Sequence, residues 1–460
     1  MKKALSVFMA VTVICVSLCS CLGIKLPSGS SSVKGDSSGT LSDSYMSSGD
    51  PSSDVDTSSK DGDLSSSGTS DTSPSQGGSD SGSGGTLSGT STSPAGTSSS
   101  GKDPHTVKPL PNSEKWYYVN LTQPQRYIYS KIYSYLTSFG SDYIKLDGMS
   151  CTLDDITIAD AAVRADFPDL FWIPGSYYIS QSGEMLSIAY TRTGEDPGYI
   201  CDKSEAAKMA SAMNAEVKGF LASLKSGMSD YDIELAAHDW IAQRITYNHS
   251  AASDPDSHPL AFTAYGALVE GSAVCEGYAK AMKLLLNSAG IHCITVTGTL
   301  SNQGHMWNMV KVGGKWYNVD VTSDDGTAGL YHHYFNQTDE YMQGATYKFD
   351  PDFSDEILDG ESFNLKRPKA TATEYCYYRM TGYTVMTLSP DKTFVEAVKR
   401  AKAGGRKVLE IYIDKSVNVI EFDFGKYISA ALPSLGQLGI TSLNMTEFPG
   451  FPRNYSVRWQ

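Results

Sequence analysis

Residues 22 to about 110 cannot build a hydrophobic core, so any fold must come from the chain that follows. The stretch is Ser, Gly, Thr and Asp with scattered Pro, and between Lys25 and His105 it holds ten Asp against four Lys. Too little apolar surface is available to offset the conformational entropy of ordering it. As a flexible coil of about 90 residues it would span roughly 50 Å root-mean-square, a length that suits a tether. A glycosylated stalk fits the same composition. Composition changes near Trp116. The expected organisation is a leader over 1–20, a disordered linker over 21–110, an N-terminal α/β subdomain over 111–228, a chemistry-bearing domain over 229–370 and a small C-terminal α/β domain over 371–460.

Ahead of the linker, Lys2 and Lys3 precede an apolar run from Ala4 to Leu18, which Leu18-Cys19-Ser20-Cys21 closes. The run is too short for a membrane-spanning helix and reads as a cleaved export signal. The small residue before Cys21 resembles the bacterial lipoprotein box. That resemblance implies cleavage before Cys21, a lipid on its sulfur and anchoring on the outer face of the cytoplasmic membrane. An ordinary signal peptide with incidental cysteines is the alternative. The net charge is −14, and without a basic stripe no nucleic-acid partner is expected.

Of eight cysteines, five lie beyond the leader: Cys151, Cys201, Cys275, Cys293 and Cys376. An odd number leaves one without a partner among the five. No C-x-x-C pair is present, and His332-His333 has no partner at ligand spacing, so no metal or other cofactor is expected. Asp324-Asp325-Gly326 reads as a turn.

Several elements announce themselves. Thr122-Gln123-Pro124-Gln125 is a capping box with Pro in the first turn, followed by Ile128, Ile132, Tyr135, Leu136 and Phe139 at helical spacing. A second helix is expected over Asp154–Ala165, strands over Phe171–Ile173 and Met185–Tyr190, and helices over 203–224 and after a Ser229 cap. Ala279–Leu286 is strongly helical and ends near Gly290. Ile291–Thr297 alternates as a strand. His305–Val312 and Lys315–Val321 flank Gly313-Gly314, a tight-hairpin signal. Near the C-terminus, a helix starting at Ser389-Pro390 and a strand over Val408–Ile413 are expected.

The chemistry concentrates between Phe262 and Asp325. Cys275 stands at the start of a helix, where unpaired N–H groups and the positive dipole end favour the thiolate. If Gly313-Gly314 form a two-residue turn, Val312 pairs with Lys315, Trp307 faces Asp320 and His305 faces Thr322. His305, Trp307, Asp320 and Thr322 then share one face, with His305 and Asp320 as diagonal neighbours. A carboxylate so placed fixes the imidazole tautomer. A buried inert cysteine, a packed strand histidine and a surface carboxylate are the ordinary readings of each residue alone; together they carry the logic of nucleophilic catalysis.

Ala273-Val274-Cys275-Glu276-Gly277-Tyr278-Ala279, His305-Met306-Trp307-Asn308 and Trp316-Tyr317-Asn318-Val319-Asp320-Val321-Thr322 resemble the bacterial transglutaminase-like superfamily, and His238-Asp239-Trp240-Ile241 before Ile245-Thr246-Tyr247 resembles its upstream helix. The resemblance covers roughly residues 230–345. It implies an α+β, papain-like core with Cys275 as nucleophile, His305 as base and Asp320 as orienter. Members often carry Trp where this chain has Ser323. Trp307 is a candidate wall of the substrate site, with a packed hairpin tryptophan as its alternative. The expected activity is attack on amide bonds of proteins or peptides through a thioester, followed by hydrolysis or transfer to an amine. A cell-wall peptide is one candidate substrate, and membrane contact is expected only through the lipid. A non-catalytic surface module, or an adhesion protein working through residues 375–460, is the competing class.

Overall fold

A computed structural model describes residues 110–459, except 112–113, 175, 183–184, 191–197, 327–328, 353–363, 391, 441–442 and 449–450, together with a short strand at Val13–Ser17. The linker and Cys21 lie outside the described residues. Val13–Ser17, inside the apolar run expected to be cleaved, pairs antiparallel with Ser176–Ser182. Among the described residues no helix is long and apolar enough to cross a membrane.

The architecture is mixed α+β. Its central sheet is antiparallel throughout, in the order Tyr347–Phe349, Cys293–Leu300, Gln303–Val312, Lys315–Val319. Gly313 and Gly314 both have positive φ, 58° and 80°, as a type I′ hairpin turn requires. One face of the sheet presents Trp307, Met309 and Trp316 to a core shared with the N-terminal helices Gln123–Ser138 and Leu153–Asp166. Ile128, Ile132 and Leu136 are fully buried there. Both helices start at capping boxes, Thr122 with Gln125 and Thr152 with Asp155. The other face presents Val310, Val312, Tyr317 and Val319 to the helices Asp230–Ala242 and Cys275–Ser288.

Phe171-Trp172-Ile173 is a turn, not the expected strand; pairing begins at Ser176. The segment lies between Pro168 and Pro174, and Trp172 stacks on Phe139 while its indole donates to the Leu136 carbonyl at 3.2 Å. Helix-end packing has overridden β propensity. Toward the C-terminus, Tyr383–Val385, Val408–Ile413, Phe451–Trp459 and Leu443–Phe448 form a second sheet. It packs with the helices Lys392–Ala403 and Phe424–Gly436 around their own core of Phe394, Ile411 and Leu435. The first helix starts at Lys392, slightly later than Ser389-Pro390 suggested.

Candidate active site

Cys275 is the first residue of the helix Cys275–Ser288. Its N-cap, Val274, offers no side-chain hydrogen bond to the first turn, so no capping side chain competes with the sulfur for that end of the dipole. Gly277 allows the turn to sit tightly: a Cβ there would fall 2.7 Å from the Ala261 carbonyl oxygen. The helix packs on the strand bearing His305 and on the helical turn Val321–Asp324. Asn308, one strand repeat and a residue beyond His305, clamps the two together by donating to the Ala279 carbonyl at 2.9 Å.

The hairpin register runs as expected from Val312↔Lys315 to Asn308↔Val319. It stops there. Asp320 leaves the ladder to become the N-cap of Val321–Asp324, its carboxylate accepting from Ser323 N at 3.2 Å. Thr322 therefore lies in a helical turn and does not face His305. The early exit still leaves Asp320 Oδ2 2.6 Å from His305 Nε2. That contact commits Nε2 and leaves Nδ1 as the ring nitrogen available to a nucleophile.

Asp320 is 1% exposed and held from three sides. Tyr347 Oη donates to its Oδ2 at 2.5 Å and Ser323 Oγ at 2.7 Å, and the two hydroxyls lie 2.7 Å apart. Burial alone would raise its pKa, but the His305 charge and the hydrogen bonds from His305, Tyr347 and Ser323 outweigh it and hold the carboxyl below its usual range. Sequence reasoning missed Tyr347, which comes from the edge strand 27 residues on. In the sequence, Ser323 marks only a departure from the family pattern.

Trp307 is 1% exposed; its indole donates to Asn318 Oδ1 at 3.1 Å and its ring packs on Tyr347 and Phe349. It backs the His305 ring, 6.0 Å away and near parallel. A cleft of about 90 Å³ opens near the chain neighbours of Cys275 and His305, between Phe167, Leu170, Glu276, Lys280, Thr297 and Met306. Cys275, His305 and Asp320 are not among the residues that line this cleft.

The sulfur itself is covered. Cys275 is 2% exposed and disulfide-bonded, while Cys151, Cys201, Cys293 and Cys376 are all free. With the other four cysteines beyond the leader free, this disulfide belongs to the chain that keeps its leader, and there thiol chemistry at Cys275 requires its reduction. Cys293 is the contrasting buried thiol: burial drives its pKa far up, beyond what nearby Lys283 offsets.

Asp324-Asp325-Gly326 is not the expected turn: Asp324 ends the helical turn Val321–Asp324 and Asp325–Gly326 is a short strand. Asp324 is fully buried, with Oδ2 3.2 Å from His238 Nε2 and both oxygens accepting from Tyr334 N. His332 does have neighbours at ligand distance. The fold brings it beside Asp239, 93 residues away, and His238. No local spacing could have shown this, because the three meet only through tertiary packing.

Residues 219–321 match the family model described as Transglutaminase-like superfamily. That span contains Cys275 and His305 and ends one residue past Asp320. The chain therefore carries a transglutaminase-like domain. It is 26% identical to the kyphoscoliosis peptidase of Mus musculus over 215 residues, 41% of this chain and 32% of that protein. It is 30% identical to the Homo sapiens kyphoscoliosis peptidase over 115 residues, 22% of this chain and 17% of that protein. The chain thus spans about a third or less of these relatives. A TGase crystal structure aligns over 38% of this chain and 49% of its own, at 14% identity and a TM-score of 0.23.

Proposed function

We propose that this protein is a thiol enzyme acting on amide bonds of proteins or peptides, with Cys275 as nucleophile, His305 as base and Asp320 as orienter. The observation that carries the reading is the 2.6 Å contact between His305 Nε2 and a buried Asp320 held by Tyr347 and Ser323. Such a carboxylate fixes the tautomer and stabilises the imidazolium formed when the ring takes the thiol proton. The Cys275 thiolate attacks the amide carbon, and backbone N–H groups at the helix start stabilise the oxyanion. The C–N bond breaks as the imidazolium gives its proton to the departing amine, leaving a thioester. Water then yields the acid, or a second amine yields a new amide, and the free thiol is regenerated. Export by the apolar leader, and anchoring through a lipid on Cys21, complete the reading. They would put the domain at the cell surface, where cell-wall peptides are within reach of the tether.

The test is turnover of glutamine-containing peptides by the reduced protein, followed both as amine incorporation and as release of acid. Cys275→Ala is expected to abolish both; activity that survives unchanged removes the enzyme reading. A second reading, a non-catalytic surface module, is favoured by one observation: Cys275 is covered. It predicts peptide binding that Cys275→Ala leaves intact and no turnover in the reduced protein.

A further inference from the structure

The chemistry above leaves a second set of ligating side chains unused: His238, Asp239 and His332. One donor atom from each lies within 4.8 Å of the others. His238 Nδ1 is 3.1 Å from Asp239 Oδ1, and His332 Nε2 is 3.0 Å from the same oxygen. Around a tetrahedral ion with bonds of about 2.0–2.1 Å, ligand atoms stand roughly 3.3 Å apart. The Asp239 oxygen is thus at nearly the right separation from both ring nitrogens.

The rings are also supported from behind, each by its own carboxylate. His238 Nε2 is 3.2 Å from Asp324 Oδ2, and His332 Nδ1 is 2.7 Å from Glu410 Oε1. Metal-bound imidazoles characteristically give the outer N–H to a carboxylate, which fixes the tautomer and turns the inner nitrogen toward the ion. These carboxylates are anchored in turn: Asp324 accepts from Tyr334 N, and the second Glu410 oxygen from His332 N at 3.1 Å. The His332 ring is further fixed by stacking on Tyr377 at 4.0 Å. His238 is fully buried, whereas the Asp239 side chain is 34% exposed, which supplies a route from solvent and room for a water as fourth ligand.

Three carboxyl groups, those of Asp239, Asp324 and Glu410, converge on the two rings. Two imidazole nitrogens and one carboxylate oxygen suit zinc; magnesium and calcium prefer all-oxygen shells.

The geometry points to a zinc site at His238, Asp239 and His332 that clamps the C-terminal sheet onto the domain carrying Cys275. His238 and Asp239 come from the helix Asp230–Ala242, His332 from the loop after Gly329–Leu330, and Glu410 from the strand Val408–Ile413. No member of the triad is a ligand. Through Asp324 the site braces the far end of the helical turn that Asp320 caps, so its role is structural.

The test uses the full chain, stripped with a chelator, dialysed against zinc and analysed by mass spectrometry for metal. About one equivalent is expected, with thermal unfolding raised by about 2–4 °C at saturating zinc and cobalt giving the visible bands of a tetrahedral site. Asp239→Ala, at a partly exposed position, should lose the uptake and the thermal shift. Asp239→Asn, which keeps the shape and weakens the donor, serves if the alanine variant does not fold. Cys275→Ala should retain both effects, since the thiol is no ligand. Absence of uptake and shift in the wild-type chain, equal uptake by the Asp239 variants, or loss in Cys275→Ala overturns the assignment.

Discussion

Asp320 carries two duties with one carboxylate: it caps a helical turn through Ser323 N and aligns His305 through Oδ2. Its hold on the ring depends on hydroxyls that the sequence does not mark as functional. Tyr347→Phe removes one charge-assisted hydrogen bond, a class worth about 1.5–3 kcal/mol. We expect kcat to fall about tenfold or more with KM little changed, as steady-state kinetics on peptide substrates would show; equal kinetics would mean that Tyr347 merely packs.

A second buried carboxyl makes a separate prediction. Glu234 is fully buried and accepts from Asn336 Nδ2 at 2.7 Å, yet its Oε1 and the Asn336 Oδ1 both lack a donor. A proton on Glu234 removes the charge that burial disfavours. Burial accordingly pushes its pKa up from 4.5 to about 8, against the opposing Asn336 hydrogen bond. Between those pH values the native state holds a proton that the unfolded state has released, so stability falls as pH rises through the window. Glu234→Gln carries its own N–H and should erase that slope, gaining on the order of a few kcal/mol over wild type above pH 8. Urea unfolding at several pH values checks it; parallel profiles for the two proteins would show that Glu234 is ionised in the fold.

Among elements, the hairpin was the most legible in sequence. Gly313-Gly314 fixes the turn, the turn fixes the register, and the register carries the ladder to Asn308↔Val319, one residue short of Asp320. What the sequence hid was where the ladder ends, because Asp320 is as good an N-cap as a strand residue, and the cap wins. Tyr347 was illegible for another reason. Its strand is three residues long and reaches Asp320 only by adding to the far edge of the sheet. Its docking depends on Gly298, where a Cβ would fall 2.0 Å from the Lys348 carbonyl oxygen and 2.9 Å from the Trp307 ring. Gly298→Ala should push that strand away, costing about 1–3 kcal/mol and lowering kcat through the loss of Tyr347. A variant with wild-type stability and rate would mean that the edge strand is not part of the site's support.

Across the whole molecule, the fold class and the candidate triad are legible in local signals: a helix start, a hairpin and three short motifs. The cluster of His238, Asp239, His332 and Glu410 could not, since helix, loop and C-terminal strand meet only after both sheets have formed. The state of the sulfur was equally hidden, because disulfide pairing depends on which thiols the fold brings together. In the chain that keeps its leader, Cys275 is one half of a disulfide, so the reactivity of its sulfur there should depend on reductant. The most direct measurement is site-resolved labelling with a thiol-directed electrophile, quantified by mass spectrometry, on the folded chain before and after mild reduction. The account predicts little label on Cys275 before reduction. After reduction, Cys275 should label faster than Cys151, Cys201 and Cys293, and His305→Ala should slow that site alone. A reduced, folded protein in which Cys275 stays unlabelled, or labels at the same rate with and without His305, contradicts it.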